Sequence, residues 1–211
     1  MDALNTLLRP CGLEVLGACP TRPEDGLTGA RGLALIGPSA SFWDVFSASP
    51  EMSDKTPDPL DRWSTRVLGQ VAAQTGARAL FPFDGPPWHP FVEWAQRTGR
   101  VWASPVNLLV HETHGLMTSF RGALTLADPV PVSRQTSPCD SCTDQPCRTA
   151  CPVTALDPTG YDVPLCRSHL KTDAGSACLS GCLVRRACPV GQGLRSTAQS
   201  AFHMAAFQRS A

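Results

Sequence analysis

Cys139-Asp-Ser-Cys142-Thr-Asp-Gln-Pro-Cys147-Arg-Thr-Ala-Cys151-Pro152 is the stretch on which the reading of this chain turns. Its order and its Cys-Pro ending are those of the bacterial iron–sulfur run C-x2-C-x2-C-x3-C-P, with two extra residues before Cys147. A second group, Cys178-Leu-Ser-Gly-Cys182-Leu-Val-Arg-Arg-Ala-Cys188-Pro189, repeats the ending with looser spacing, and Cys166 stands alone between the two.

Three closely spaced thiolates can wrap one face of a cubane and leave its fourth iron to a distant ligand. The cysteine before proline then crosses over, because proline lacks an N–H, fixes its own φ and turns the chain away. On this logic Cys139, Cys142, Cys147 and Cys188 hold one [4Fe–4S] cluster, while Cys151, Cys166, Cys178 and Cys182 hold the other. Zinc is the bland rival, since short cysteine spacings also build zinc ribbons, but zinc sites pair their thiolates two by two. A triplet followed by Cys-Pro, once clearly and once loosely, fits two cubanes better.

The other two of the ten cysteines, Cys11 and Cys19, lie far from this segment and read as packing residues. A disulfide framework would suit an exported chain, but Met1 to Pro20 lacks the cationic start and apolar core of a secretory signal. The expectation is a cytoplasmic protein. A formal net charge of zero and 17% charged residues offer no basis for nucleic-acid or anionic-membrane binding, and no run of about 18 apolar residues is present to span a bilayer.

With 211 residues, 42% of them hydrophobic, the chain can bury a sizeable core. Residues 1–127 read as an α+β domain. Leu13 to Gly17, Gly32 to Gly37 and Ala77 to Phe81 suit buried strands, and Met117 to Leu126 suits a further one. Helices are expected from Ser41 to Ala48, Asp58 to Thr75 and Pro90 to Arg97. In the second, Leu60, Trp63, Val67, Leu68 and Val71 recur at helical spacing. All five tryptophans fall in this domain and are read chiefly as its core. Residues 128–138, with three prolines, read as a linker, residues 139–195 as the cluster domain and residues 196–211 as a closing helix.

From Leu124 to Gly191, roughly a third of the chain, the segment resembles the ferredoxin-like part of epoxyqueuosine reductases and, more broadly, of cobalamin-dependent reductive dehalogenases. The likeness rests on Gly122-Ala-Leu-Thr-Leu before the Pro-rich linker, Cys151-Pro-Val-Thr-Ala-Leu, Tyr161, lone Cys166, Gly181-Cys182 and Cys188-Pro189. It implies that Cys166 is a ligand. Unlike those reductases, the chain is expected to have no C-terminal repeat domain and no basic surface sufficient to predict tRNA binding.

The first domain is similar instead to the cobalamin-processing family of methylmalonic aciduria type C. The similarity rests on Gly32-Leu-Ala-Leu-Ile-Gly-Pro-Ser-Ala-Ser-Phe-Trp-Asp, Pro57-Asp-Pro-Leu-Asp and His111-x3-Gly115-x5-Arg121-Gly122. It implies a nitroreductase-like α+β fold with a pocket for a corrinoid (cobalamin) or a flavin, and His111, Gly115 and Arg121 as candidate contacts. Two function classes follow. In one, two clusters feed single electrons to that bound cofactor; in the other, the chain is a ferredoxin-like carrier for a separate redox partner, with the first domain as docking scaffold. Arg185 and Arg186, beside a ligand, read by default as a solvated pair.

Overall fold

The structure, a computed structural model, describes residues 1–133 and 135–209. Arg134 of the expected linker, and Ser210 and Ala211 of the expected closing helix, lie outside the described residues. The chain is α+β and divides into two compact units. The first comprises Met1–Val101 and Ser119–Gln135, the second Trp102–Thr118 and Thr136 onward. This corrects the expected domain boundary at residue 127, because the segment Trp102–Thr118 belongs to the cysteine-bearing unit.

The first unit opens with α1 (Asp2–Leu8), β1 (Leu13–Pro20) and β2 (Gly32–Pro38), followed by α2 (Phe42–Ser47), α3 (Pro50–Ser53), α4 (Pro59–Thr75), β3 (Ala79–Leu80) and α5 (Phe91–Arg97). Chain order then passes through β4 (Val101–Ala103), at the unit boundary, and β5 (Leu109–His111) before β6 (Gly122–Leu126) returns to the first unit. Its sheet has the order β1-β2-β6-β3, with antiparallel neighbours throughout. β2 is buried along its whole length, as a continuous apolar run in a sheet covered on both faces should be. α4 packs on β3 and β6, and α5 on β1 and β2. The helical stripe of Leu60, Trp63, Val67, Leu68 and Val71 is the buried face of α4, with Phe42 and Phe46 edge-on to Trp63 at 5.4 and 5.7 Å.

Several expectations shrink against this sheet. The strand foreseen from Met117 starts only at Gly122, since Ser119 is where the chain re-enters the unit. The Pro-rich segment is no free linker: Gln135 N–H bonds to Gly99 O, and Gly99 has room for no Cβ because Ser133 O would stand 1.8 Å from it. Of the tryptophans only Trp63 and Trp94 are fully buried in this unit; Trp88 is 63% exposed and Trp102 belongs to the second unit.

One buried polar cluster steadies the first unit. The Asp25 carboxylate accepts both Arg97 nitrogens, at 2.8 and 2.7 Å, and the Trp94 indole N–H at 2.8 Å, while Arg97 also donates to Pro20 O. Burial pushes the Asp25 carboxyl up, but the Arg97 fork, the Arg22 amide and the indole outweigh it and hold it at about 2. A carboxyl held below its ordinary 3.8 stabilises the fold fully above about pH 4, and that stabilisation is lost as pH falls towards 2. Glu51, held at about 2 chiefly by Arg66, acts in the same window. Asp25→Asn is therefore expected to lower the urea midpoint at neutral pH, and its deficit against the native protein should shrink below about pH 4. Circular dichroism of both proteins across that range checks it; a deficit independent of pH would remove the ion pair from the account.

The second unit holds the β4–β5 ribbon from Trp102 on, then β7 (Leu156–Asp157) paired with β8 (Gly160–Tyr161), α6 (Val163–Leu170), α7 (Ser176–Leu179), α8 (Leu183–Ala187) and α9 (Thr197–Arg209). Its core combines Val106, Val110, Leu116, Leu156 and Val184 with Cys147 and Cys188.

Candidate metal centre

Five of the eight clustered cysteines lie on or beside short elements, while Cys139, Cys142 and Cys151 lie in loops. Cys147 sits inside a single 3-10 turn, Pro146–Arg148, and the residue before that turn, Gln145, takes a left-handed φ of 38°. The two residues inserted before Cys147 are absorbed there. Cys166 lies on α6, whose start is capped by the Asp162 carboxylate accepting Leu165 N–H at 2.8 Å, and Cys178 lies on α7. Cys182 and Cys188 flank α8, so one five-residue helix carries a cysteine at each end.

The thiols sort into two groups of four. The leading cysteine influences on Cys139 come from Cys188 and Cys142, and on Cys147 from Cys139, Cys188 and Cys142. Those on Cys166 come from Cys182 and Cys151, and on Cys178 from Cys182, Cys166 and Cys151. In all four cases burial is the first cause pushing the thiol up, and the neighbouring sulfurs push in the same direction.

Cys139, Cys142, Cys147 and Cys188 also line one pocket of about 360 Å³, including its open mouth, with Pro105, Val110, Leu116, Pro138, Pro189 and Val190 as apolar walls. None of the ten cysteines is in a disulfide. Among the described residues no three His, Cys, Asp or Glu side chains are placed to hold a metal ion as they stand. Four thiolates on a single zinc lie about 3.8 Å apart, from a Zn–S bond of about 2.3 Å, whereas a four-iron cube holds them at its corners and further apart. Four thiols around one apolar pocket are a soft donor set of the kind that binds such metals. Deprotonated together without a cation they would repel one another in a medium of low dielectric, and a coordinated metal removes that penalty by binding the thiolate form.

The candidate cofactor contacts are divided. His111 and Gly115 belong to the second unit and Arg121 to the first, so they do not form one set within a unit. Arg121 is turned towards Asp61, Nη1 to Oδ1 3.9 Å, and among the described residues its buried Nε meets no hydrogen-bond partner. His111 is 1% exposed, and its Nδ1 accepts Thr113 N–H at 3.1 Å and His114 N–H at 3.2 Å, with the Thr113 hydroxyl also 3.1 Å away. His111 and Gly115 close the turn with a pair of backbone bonds, 3.1 and 2.9 Å. Gly115, at φ +53°, lies so near Cys188 that an added Cβ would stand 2.9 Å from its Sγ and 2.1 Å from Val190 O. Gly191 closes on the same turn from the other side, where a Cβ would stand 2.3 Å from His114 O.

Sequence reasoning missed the groups around the sulfurs. Tyr161 Oη donates to Cys166 Sγ at 3.3 Å, and Ala155 N–H to Cys151 Sγ at 3.2 Å. Arg185 is not the solvated residue expected. It is half-buried, donates to Leu116 O and acts electrostatically on Cys182, while Arg186 is exposed. Its place three residues after Cys182, on the intervening helix, was the available signal. Arg167 is held over the Phe207 ring, 4.9 Å from its centroid, and Tyr161 stacks on the same ring at 6.0 Å.

No helix among the described residues is long and apolar enough to cross a membrane. No protein-family model matches the chain, and no curated protein matches it.

Proposed function

We propose that the chain is an iron–sulfur electron-transfer protein in which Cys139, Cys142, Cys147 and Cys188 bind one [4Fe–4S] cluster and Cys151, Cys166, Cys178 and Cys182 a second. The observation that carries this reading is the sorting of the eight clustered thiols into two interacting fours, one of them around an apolar pocket. When bound, such a group supplies one-electron redox chemistry at a potential governed by its surroundings. The chain's own residues provide thiolates, exclude water through Val110, Leu116 and Val190, and aim hydrogen-bond donors at the sulfurs.

The resemblances of both parts of the chain extend the reading to an acceptor, a corrinoid or flavin held by a nitroreductase-like first unit. A second reading, the ferredoxin-like carrier serving a separate enzyme, is favoured by one observation: His111 and Gly115 form a turn beside Cys188, in the cysteine-bearing unit. Anaerobic reconstitution with iron and sulfide tests the common part. About eight iron and eight sulfide per chain are expected from eight ligands in two sets of four. Zinc uptake with no iron would overturn it. Adding cob(II)alamin or a flavin to the loaded protein separates the two readings: a bound, reducible cofactor supports the first, and no binding supports the carrier.

A further inference from the structure

Resting on the two-cluster reading, we propose that the two sites are poised unequally, with the Cys151, Cys166, Cys178 and Cys182 site at the higher potential, so that an added electron comes to rest there.

Reduction adds negative charge to a ligand set, and hydrogen bonds to the sulfurs, net charge and exposure decide how readily it is accepted. The second set is surrounded by groups that welcome the charge. Tyr161 donates its hydroxyl to Cys166, Ala155 its amide to Cys151, and Leu183 its amide to Cys178. Two cations add to this: the Arg185 guanidinium acts on Cys182 and that of Arg167 on Cys166. Because Arg185 is half-buried and fixed to Leu116 O, solvent screens it less than a surface arginine.

The first set has the opposite surroundings. Cys139 and Cys147 have a Ser137 hydroxyl and one local amide, and the nearby charge on Cys139 is the anion of Asp140. Cys147 and Cys188 are both buried, against Cys178 alone in the second set, and the pocket walls are chiefly proline and aliphatic side chains. Added charge is therefore disfavoured there. Movement of one electron from the first set to the second makes and breaks no bond and needs no co-reactant beyond the donor that loads it.

The test is an anaerobic potentiometric titration of the reconstituted protein, with dithionite through mediators, followed by electron paramagnetic resonance. Two separate reduction waves are expected. Tyr161→Phe and Arg185→Gln should each shift the upper wave to lower potential and leave the lower wave in place, and Arg185→Lys, which keeps the charge, should shift it less than Arg185→Gln. Tyr161→Phe removes only a hydroxyl, so it serves even if the arginine variants do not fold. Eight iron per chain with coincident waves, or a Tyr161→Phe shift confined to the lower wave, would overturn the unequal poise alone. A chain that takes up no iron overturns the two-cluster reading and this proposal with it.

Discussion

Replacing Cys166 with alanine is expected to take the reconstituted chain from about eight iron to about four, with one of two paramagnetic signals lost on reduction. Alanine rather than serine is the informative change, because a serine hydroxyl can itself ligate iron. The expectation follows from the position of Cys166 on α6, a separate helix from those that carry Cys178 and Cys182, and from its electrostatic partners, Cys182 and Cys151. Its sulfur also receives the Tyr161 hydroxyl, so the site loses a ligand and leaves a donor unpaired. Cys188→Ala should give the complementary loss, emptying the pocket lined by Cys139, Cys142 and Cys147. Cys11→Ala, in the first unit, should change neither signal. Full iron content in Cys166→Ala would mean that the partition is wrong, and the lone middle cysteine a bystander.

The two cysteine runs were legible because each is local in sequence, Cys139 to Pro152 and Cys178 to Pro189, and the proline after each last cysteine fixes its own φ and redirects the chain. The core of the first unit was legible for an equally local reason. Leu60, Trp63, Val67, Leu68 and Val71 share one face of a helix whatever lies opposite, and the run from Gly32 to Pro38 is apolar throughout. What could not be read is where the chain crosses between units. Trp102–Thr118 contains the apolar residues Val106, Val110 and Leu116, which are as suitable for one core as for the other, and only tertiary packing assigns them to the cysteine-bearing unit. The same ambiguity misplaced Trp102, His111 and Gly115. Arg185 was misread because adjacent arginines on a short helix are solvated by default. Its burial depends on Leu116 O, far away in sequence, accepting its guanidinium.

Gly115 shows what that reassignment changes. Read by resemblance it is a candidate cofactor contact; in the structure it is the point where the His111–Gly115 turn meets the Cys188-Pro189-Val190 strand of chain. Gly115→Ala is expected to be severe for two separable reasons. A left-handed φ of +53° costs a residue with a Cβ roughly 1–2 kcal/mol. The new methyl would also stand 2.1 Å from Val190 O, and since that atom is backbone, the chain carrying Cys188 must move, at a further cost of about 1–3 kcal/mol. The displacement falls on Cys188, which on the proposed two-cluster reading is the one ligand that the first set draws from a distant part of the sequence. Loss of the first cluster with retention of the second is therefore the expected result, seen as about four iron per chain and faster iron release to a chelator. Gly160→Ala is the matched control, because no atom lies within 4 Å of its added Cβ and its φ is ordinary. If Gly115→Ala keeps both signals and releases iron no faster than Gly160→Ala, the turn does not hold Cys188 in place. An outcome with both clusters intact but corrinoid or flavin binding abolished would instead return Gly115 to the role its resemblance implies.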